Sequence, residues 1–435
     1  MSLLAIQKLG RNRDTPRLWI ESGRLERLGF SPGIPLEIEA APENLILRPA
    51  ILGQNHVSSR EVAGGRRPII DLENASLLSG LAAYSEVKII ASFERIQVSP
   101  SHRAFAIQRA RLCQAPFRVL ETFAGGGTMT AALHNDERFQ VRAGIEIDPL
   151  FADEWQAANA GSTIIQSDIR RLHCSELPEF DVIVGGIPCT CHSNLGRAKK
   201  GLAQKPELGE AGDLFLSVLG IINERMPAAA LFENVPNFGN SLAGELLTTS
   251  LRRLGYHVYT TTLNPNAEWG EIEDRKRWLM VATLDRQFIL APPQTACSTP
   301  LTSFLDPPDE SRDKADCLRI QKTIEGLRAH NARHREMGHG FAFSVVDGSE
   351  FSIPTIPKSY HKINTGPFVQ TPFGLRLLRQ SEVERIHGVS LHTRHTATAL
   401  QILGQGVQTR VFRQVFQQLA DHLTSSSASR DLRGG

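Results

Sequence analysis

A chain of 435 residues is too long for one ordinary core and, at roughly one domain per ~150 residues, divides into two or three. With 41% hydrophobic and 22% charged residues and no apolar run near the ~20 residues a bilayer span needs, it is neither a membrane bundle nor a disordered chain. The formal charge of +2 excludes a general attraction to polyanions, so any nucleic-acid surface has to be a local patch. The start MSLLAIQKLGRNRD lacks the apolar segment and cleavage site of a secretory signal, and the expected location is the cytoplasm. The six cysteines, Cys113, Cys174, Cys189, Cys191, Cys297 and Cys317, are too scattered for a disulfide framework and read as reduced thiols. Cys189 and Cys191 have no second Cys or His pair at zinc-ligand spacing, so no metal is expected.

The first 110 residues form a β-rich tandem repeat. LWIESGRLERLGFSPGIPLEIEAAPENLILRP (18 to 49) lies over IIDLENASLLSGLAAYSEVKIIASFERIQVSP (69 to 100) at a constant offset of 51 without a gap. Each copy reads as a strand, a helical turn and two alternating strands joined by a polar hairpin. One copy is too short to bury a core, and two pairing into a single small unit solve the problem. RLWIESGRLERLGFSPG resembles the swapped-hairpin AbrB and SymE-like families, which implies DNA binding; a dimerisation or docking module fits the pattern equally.

From Phe117 to about residue 284 the chain changes to apolar strand runs alternating with glycine turns and helical stretches: FRVLETFAGGG, VRAGIEID, FDVIVGGIPC, AALFENV and WLMVATL. This alternation predicts an α/β domain with a doubly wound, largely parallel, Rossmann-like sheet and its sites at the carboxyl ends of the strands. Residues 285 to 372, rich in Pro, His and Gly, read as an irregular lobe without helix-strand alternation. In residues 373 to 425, LRLLRQSEVERIHGV and ALQILGQGVQTRVFRQVFQQLADHL have helical periodicity. The tail, 426 to 435, is expected to be disordered.

ETFAGGGTMT places Phe123, Ala124, Gly125, Gly127 and Thr128 at a strand-to-helix turn, where missing side chains let a cofactor approach the backbone. Such turns serve dinucleotides, phosphates and adenosyl cofactors alike. Glu146, ending the next strand in GIEIDP, is suited to accept from ribose hydroxyls. Asp168, closing a third strand in QSDIRRL, can accept from an adenine amine while Ile147 and Ile169 cover the ring. GGIPCTCHS holds a thiol, Cys189, behind the rigid Pro188, just past a buried strand. FENVPNF ends a strand on the carboxylate Glu233, and EDRKRW supplies the cations Arg275 and Arg277, which can fix a base carbonyl and that carboxylate bidentately.

In this order, FAGGGT, GIEIDP, SDI, a Pro-Cys loop, ENV, Arg-x-Arg, a variable lobe, LRLLRQSEVERIHGV and GQGV resemble the cytosine-C5 DNA methyltransferases over residues 117 to 425. The resemblance implies S-adenosylmethionine as cofactor, double-stranded DNA as substrate, and a target-recognition lobe in residues 285 to 372. Cytosine C5 needs help to accept a methyl group. The Cys189 thiolate adds to C6 of the flipped base while Glu233 supplies a proton at N3. NLGRAKKGLAQKPELGEAGD then corresponds to the loop that closes over the flipped base, with Ser193, Arg197, Lys199 and Lys200 meeting DNA. A monomer on DNA, near the nucleoid, with a cognate restriction endonuclease as candidate partner completes the expectation.

Four positions depart from the family pattern: Thr190, His192, Glu273 and Gln405 stand where Gln, Phe, Gln and Asn are usual. They bear on specificity and turnover more than on reaction type. Two other readings stay open: the same chemistry on tRNA, and a DNA-binding regulator carrying an idle methyltransferase domain.

Overall fold

The computed structural model describes residues 2–188, 211–293, 298–336, 344–363 and 366–431, without the side chains of 331–336 and 426–431. The chain divides after Leu112 into two compact units. Among the described residues no helix is long and apolar enough to cross a membrane.

The first unit contains β1 (Leu3–Lys8), β2 (Gly10–Asn12), β3 (Thr15–Glu21), β4 (Pro35–Ala41) and β5 (Asn44–Pro49). It continues with β6 (Asn55–His56), β7 (Ser58–Val62), β8 (Gly65–Glu73), β9 (Glu86–Ser92), β10 (Arg95–Pro100) and α1 (His102–Leu112). At an offset of 51, β9 and β10 fall residue for residue on β4 and β5. The repeat reaches further than the matching sequence, because β6 and β7 take the places of β1 and β2. Equivalent strands pair antiparallel: β3 with β8, where Leu18 faces Leu72, and β5 with β10, where Leu45 faces Val98. The opening strand of each copy lies on the other copy's hairpin, β1 on β9 and β6 on β4. One core results, with Phe30, Leu36 and Leu47 of the first copy packed among Val87, Ile89 and Ile96 of the second. Each such side chain, fully buried, stabilises by about 1.5–3 kcal/mol, and a copy alone would leave its half exposed.

The second unit is built on β11 (Phe117–Thr122), β12 (Phe139–Glu146), β13 (Thr163–Gln166), β14 (Val182–Gly186), β15 (Ala229–Asn234), β16 (His257–Leu263), β17 (Glu273–Asp274) and β18 (Arg277–Thr283). Helices α2 (Pro149–Ala158), α3 (Leu214–Arg225) and α4 (Leu242–Leu254) alternate with them. The seven-stranded sheet has the order β13-β12-β11-β14-β15-β18-β16. Neighbours are parallel from β13 to β15, and β18 runs antiparallel to both β15 and β16. The central strands are buried along nearly their whole length, which accounts for their continuous apolar runs. Strand order reverses between β11 and β14, so the crevice for a ligand opens at their carboxyl ends.

The segment expected to be irregular contains a 27-residue helix, α5 (Glu310–Glu336). Its apolar signal is a single narrow stripe, Cys317, Ile320 and Ile324, too thin to mark a helix by periodicity. Short strands β19 (Val345–Val346), β20 (Ile353–Pro354), β21 (Phe368–Thr371) and β22 (Gly374–Leu377) follow. The helical reading of LRLLRQSEVERIHGV is corrected in its first part. Phe368 pairs with Leu377 in a β21–β22 hairpin, and α6 runs only over Gln380–His387. The later pattern splits into α7 (Thr396–Gln405) and α8 (Thr409–Asp431). The break falls at Gly406, where a Cβ would stand 2.6 Å from Thr128 Oγ1. α8 runs on into the tail expected to be disordered, since no Gly or Pro precedes Gly434 to stop it.

Candidate active site

β11 leaves the sheet into a turn with Phe123, Gly125 and Gly127 at positive φ, 53°, 52° and 79°. Phe123 is not a glycine, and a side chain held in this region marks a turn fixed by its surroundings. Gly126 packs so closely on α7 that a Cβ would lie 2.5 Å from Ile402. The Ala124 amide donates to Ile145 O at 2.9 Å, and Thr128 Oγ1 accepts from Val407 N at 3.2 Å, so both flanks of the turn are held. Gln405 reaches it as well, its Nε2 3.6 Å from the Cβ position of Gly125.

Glu146 ends β12 with its carboxylate already organised. It accepts from Gly125 N at 2.7 Å and from Ile147 N and Asp148 N at 2.9 Å. Beside it Ile147 is 63% exposed, an apolar surface facing solvent next to an ordered acceptor. Glycine turn, acceptor and bare apolar side chain fit an adenosyl group. Ile169 is buried at 5%, so the expected pair of ring covers reduces to Ile147. Asp168 caps the turn after β13 through Arg170 N at 3.0 Å and pairs with the Arg170 guanidinium at 2.8 Å, which holds its carboxyl below the usual range. An amine would have to share that carboxylate with Arg170.

On the other side of the switch point, β14 ends at Gly186 and leads through Ile187 to Pro188. Cys189, Cys191, Ser193, Arg197, Lys199 and Lys200 lie outside the described residues. The base of their loop is fixed to β15: Ile187 N donates to Glu233 O at 3.2 Å, and Asn234 Nδ2 donates to Ile187 O at 3.0 Å. Thus the ENV segment grips the chain two residues before Cys189. The Glu233 side chain is buried, with Arg277 Nε at 2.6 Å from Oε1. Burial pushes its carboxyl up, against the pull of Arg277 and Arg275, toward the neutral form that can donate a proton.

Arg275 takes a different role from the one expected. Its guanidinium, 1% exposed, donates to Gly406 O at 3.1 Å, Gly404 O at 2.9 Å, Ile356 O at 3.1 Å and Glu273 Oε1 at 3.1 Å. Only Arg277 contacts Glu233 among the two. The ladder is interrupted at Arg275 and Lys276, between β17 and β18, so a spacing of two no longer puts both arginines on one face.

The sequence marked Glu273 as a departure but not its partners, and it gave no role to Glu121. Glu273, in place of the usual Gln, forms a buried cluster with Arg275 and with His387 Nε2, 3.0 Å away. Burial alone would raise its carboxyl, but Arg275, His387 and the Ile356 amide together pull it down to about 2. Glu121, beneath the cofactor turn, accepts from Trp155 Nε1 at 2.6 Å and, among the described residues, forms no ion pair; burial raises it to about 8. Its unusual place at the end of an apolar strand was the available signal.

A family model described as C-5 cytosine-specific DNA methylase matches residues 117–421. The chain belongs to that family. The methylase is 26% identical over 324 residues to the Type II methyltransferase M.NlaX of Neisseria lactamica, covering 72% of this chain and 98% of the relative. To the Type II methyltransferase M.MspI of Moraxella sp. it is 26% identical over 302 residues, 65% of this chain and 64% of the relative. Among solved structures it shares its fold with the S. pombe Dnmt2 methyltransferase, with a TM-score of 0.57, 18% identity, and coverage of 71% of this chain and 99% of the other. The Entamoeba histolytica methyltransferase EhMeth gives a TM-score of 0.55 at 17% identity, over 71% and 98%. The methylase acts on cytosine C5 in DNA, with S-adenosylmethionine as methyl donor.

Proposed function

We propose that the methylase modifies one cytosine within a short duplex motif, read chiefly by residues 285 to 372, with Cys189 as nucleophile and Glu233 as proton donor. Glu233 carries this reading: it is a buried carboxyl driven toward its neutral form, at a strand end bonded to the base of the Cys189 loop. In that role the Cys189 thiolate adds to C6, Glu233 protonates N3, and C5 becomes the carbon nucleophile. Once C5 carries the methyl group, a water takes the C5 proton, the C5–C6 double bond re-forms as the C6–S bond breaks, and N3 returns its proton to Glu233. Arg277 holds the Glu233 carboxyl in place at 2.6 Å. S-adenosylmethionine, when bound, supplies the electrophilic methyl group; Gly125, Glu146, Ile147, Asp168 and Pro188 are the residues that would hold it.

Ser193, Arg197, Lys199 and Lys200 are assigned to the loop that covers the flipped base and meets phosphates. Monomeric action on DNA, with a cognate endonuclease whose site the modification guards, fits a Type II relative. The amino-terminal repeat is assigned DNA binding or dimerisation. The test is incubation of wild type and Cys189→Ala with tritiated S-adenosylmethionine and either mixed genomic DNA or total tRNA, then bisulfite sequencing. Label at C5 within one DNA motif, absent in the variant, is expected. Label confined to tRNA, or undiminished in the variant, overturns the reading.

A further inference from the structure

Between the first half of α5, the start of α6 and the start of α7 lies a cavity of about 800 Å³, away from the cofactor turn and Glu233. Its lining carries four arginines, Arg312, Arg319, Arg379 and Arg394, against two carboxylates, Asp316 and Glu384. Both carboxylates are engaged: Asp316 accepts from Arg379 Nε at 2.9 Å and Glu384 from Gln380 Nε2 at 2.8 Å. Arg312 and Arg319 stand seven positions apart on one face of α5. Arg312 is tied to Asp306 at 3.1 Å, whereas Arg319 has its carboxylate neighbour, Asp316, only at 3.9 Å and is 63% exposed. Arg394 is exposed. Two helices, α6 and α7, begin at the cavity with their first turns capped, α6 by the Glu382 carboxylate, which accepts from Arg379 N at 2.7 Å, and α7 by His395 Nδ1, which accepts from Thr398 N at 3.3 Å. His361, also in the lining, has a buried Nδ1 without a hydrogen-bond partner among the described residues.

We infer that this cavity is a seat for phosphodiester groups of the DNA backbone, flanking the target cytosine. The inference rests on the reading of duplex DNA as substrate. Arg379 is taken up by Asp313 at 2.6 Å and Asp316 at 2.9 Å, so the cations that the cavity offers to an anion with several acceptor oxygens are the exposed Arg319 and Arg394, on separate elements of its lining. Its place suits the same duplex. α7 has ten residues, about 15 Å at 1.5 Å per residue, with its first turn at the cavity and Gln405 at the cofactor turn. One strand of DNA carries a phosphate every ~3.4 Å along the axis, so the helix between the cavity and the cofactor turn spans about the length of four base steps.

The test is the Arg319→Ala, Arg394→Ala double variant, which spares every group of the candidate active site. A control removes the same charge from α4 as Arg252→Ala, Arg253→Ala. Duplex binding by fluorescence anisotropy across a salt series is measured beside kcat and both KM values. The seat predicts a weaker duplex Kd and a KM for DNA raised about tenfold, with kcat and the KM for S-adenosylmethionine unchanged. It also predicts a plot of log K against log salt shallower by about 2, one unit per lost phosphate contact. Unchanged affinity and slope, or an equal change in the control, overturns the seat. Failure of the wild type to label DNA at all would instead strike the reading beneath it, and the anisotropy series would still report on the cavity.

Discussion

Two glutamates, Glu121 beneath the cofactor turn and Glu273 at the join of the sheet with the lobe, are both fully buried and ionise in opposite senses. Glu121 is bonded to an indole N–H and raised to about 8, while Glu273, beside Arg275 and His387, is lowered to about 2. Cations within reach decide the outcome, because burial pushes both the same way. The contrast extends to their surroundings. The turn after β11 is organised by backbone amides and a neutral indole donor, at Glu146 and Glu121. The lobe is held by buried ion pairs, among them Arg376 with Glu382 at 2.8 Å and Arg379 with Asp313 at 2.6 Å. The turn around Gly125 is thus held by fixed dipoles, and the lobe by paired charges.

Glu273→Ala should cut deepest. It leaves Arg275 and His387 buried without their carboxylate, at a cost of about 3–5 kcal/mol in denaturant unfolding. A loss under about 1 kcal/mol would mean that the cluster is not the frame described. Next comes Arg277→Ala, which removes the partner of Glu233: kcat should fall about 10²–10³-fold while the melting temperature stays near wild type. The reverse pattern, lost stability with retained kcat, would make Arg277 a second Arg275. The smallest effect is that of Glu121→Gln. A carboxyl raised from 4.5 to about 8 contributes stability that is present below pH ~4.5 and is lost as pH rises through about 8. The variant should therefore flatten the decline of stability between those limits, by on the order of 1–3 kcal/mol. Glu273 acts in the opposite direction, its contribution present above pH ~4.5 and lost as pH falls through about 2. A wild-type stability that does not decline between pH 4.5 and 8 relative to Glu121→Gln would remove the asymmetry.

What sequence alone could show followed from how local each feature is. The glycine turn, Glu146 and Glu233 sit at the ends of strands whose apolar runs announce them, so motif and geometry coincide. The roles of Arg275 and Arg277 were not separable, since a two-residue spacing implies one face only if the strand continues through it. His387 meets Glu273 across a large separation in sequence, and no local pattern encodes that pairing. Helix α5 was hidden because it buries charged Asp313 among its few apolar contacts and leaves most of its surface to solvent. In the first unit the hairpins β4–β5 and β9–β10 kept their pattern through duplication. The opening strands β1 and β6 hold equivalent places in the sheet although their sequences do not match.

That duplication leaves the first unit as a dimer written into one chain. Each half lends its opening strand to the other's hairpin, so all the contacts that join them would exist equally between separate polypeptides. The connection leaves Ile51 and Leu52 94% and 86% exposed and so adds little apolar burial. Its contribution is effective concentration, which for a short tether is in the millimolar range. Fusion therefore frees the two halves from identity, and each can change its outer face without a matching change in the other.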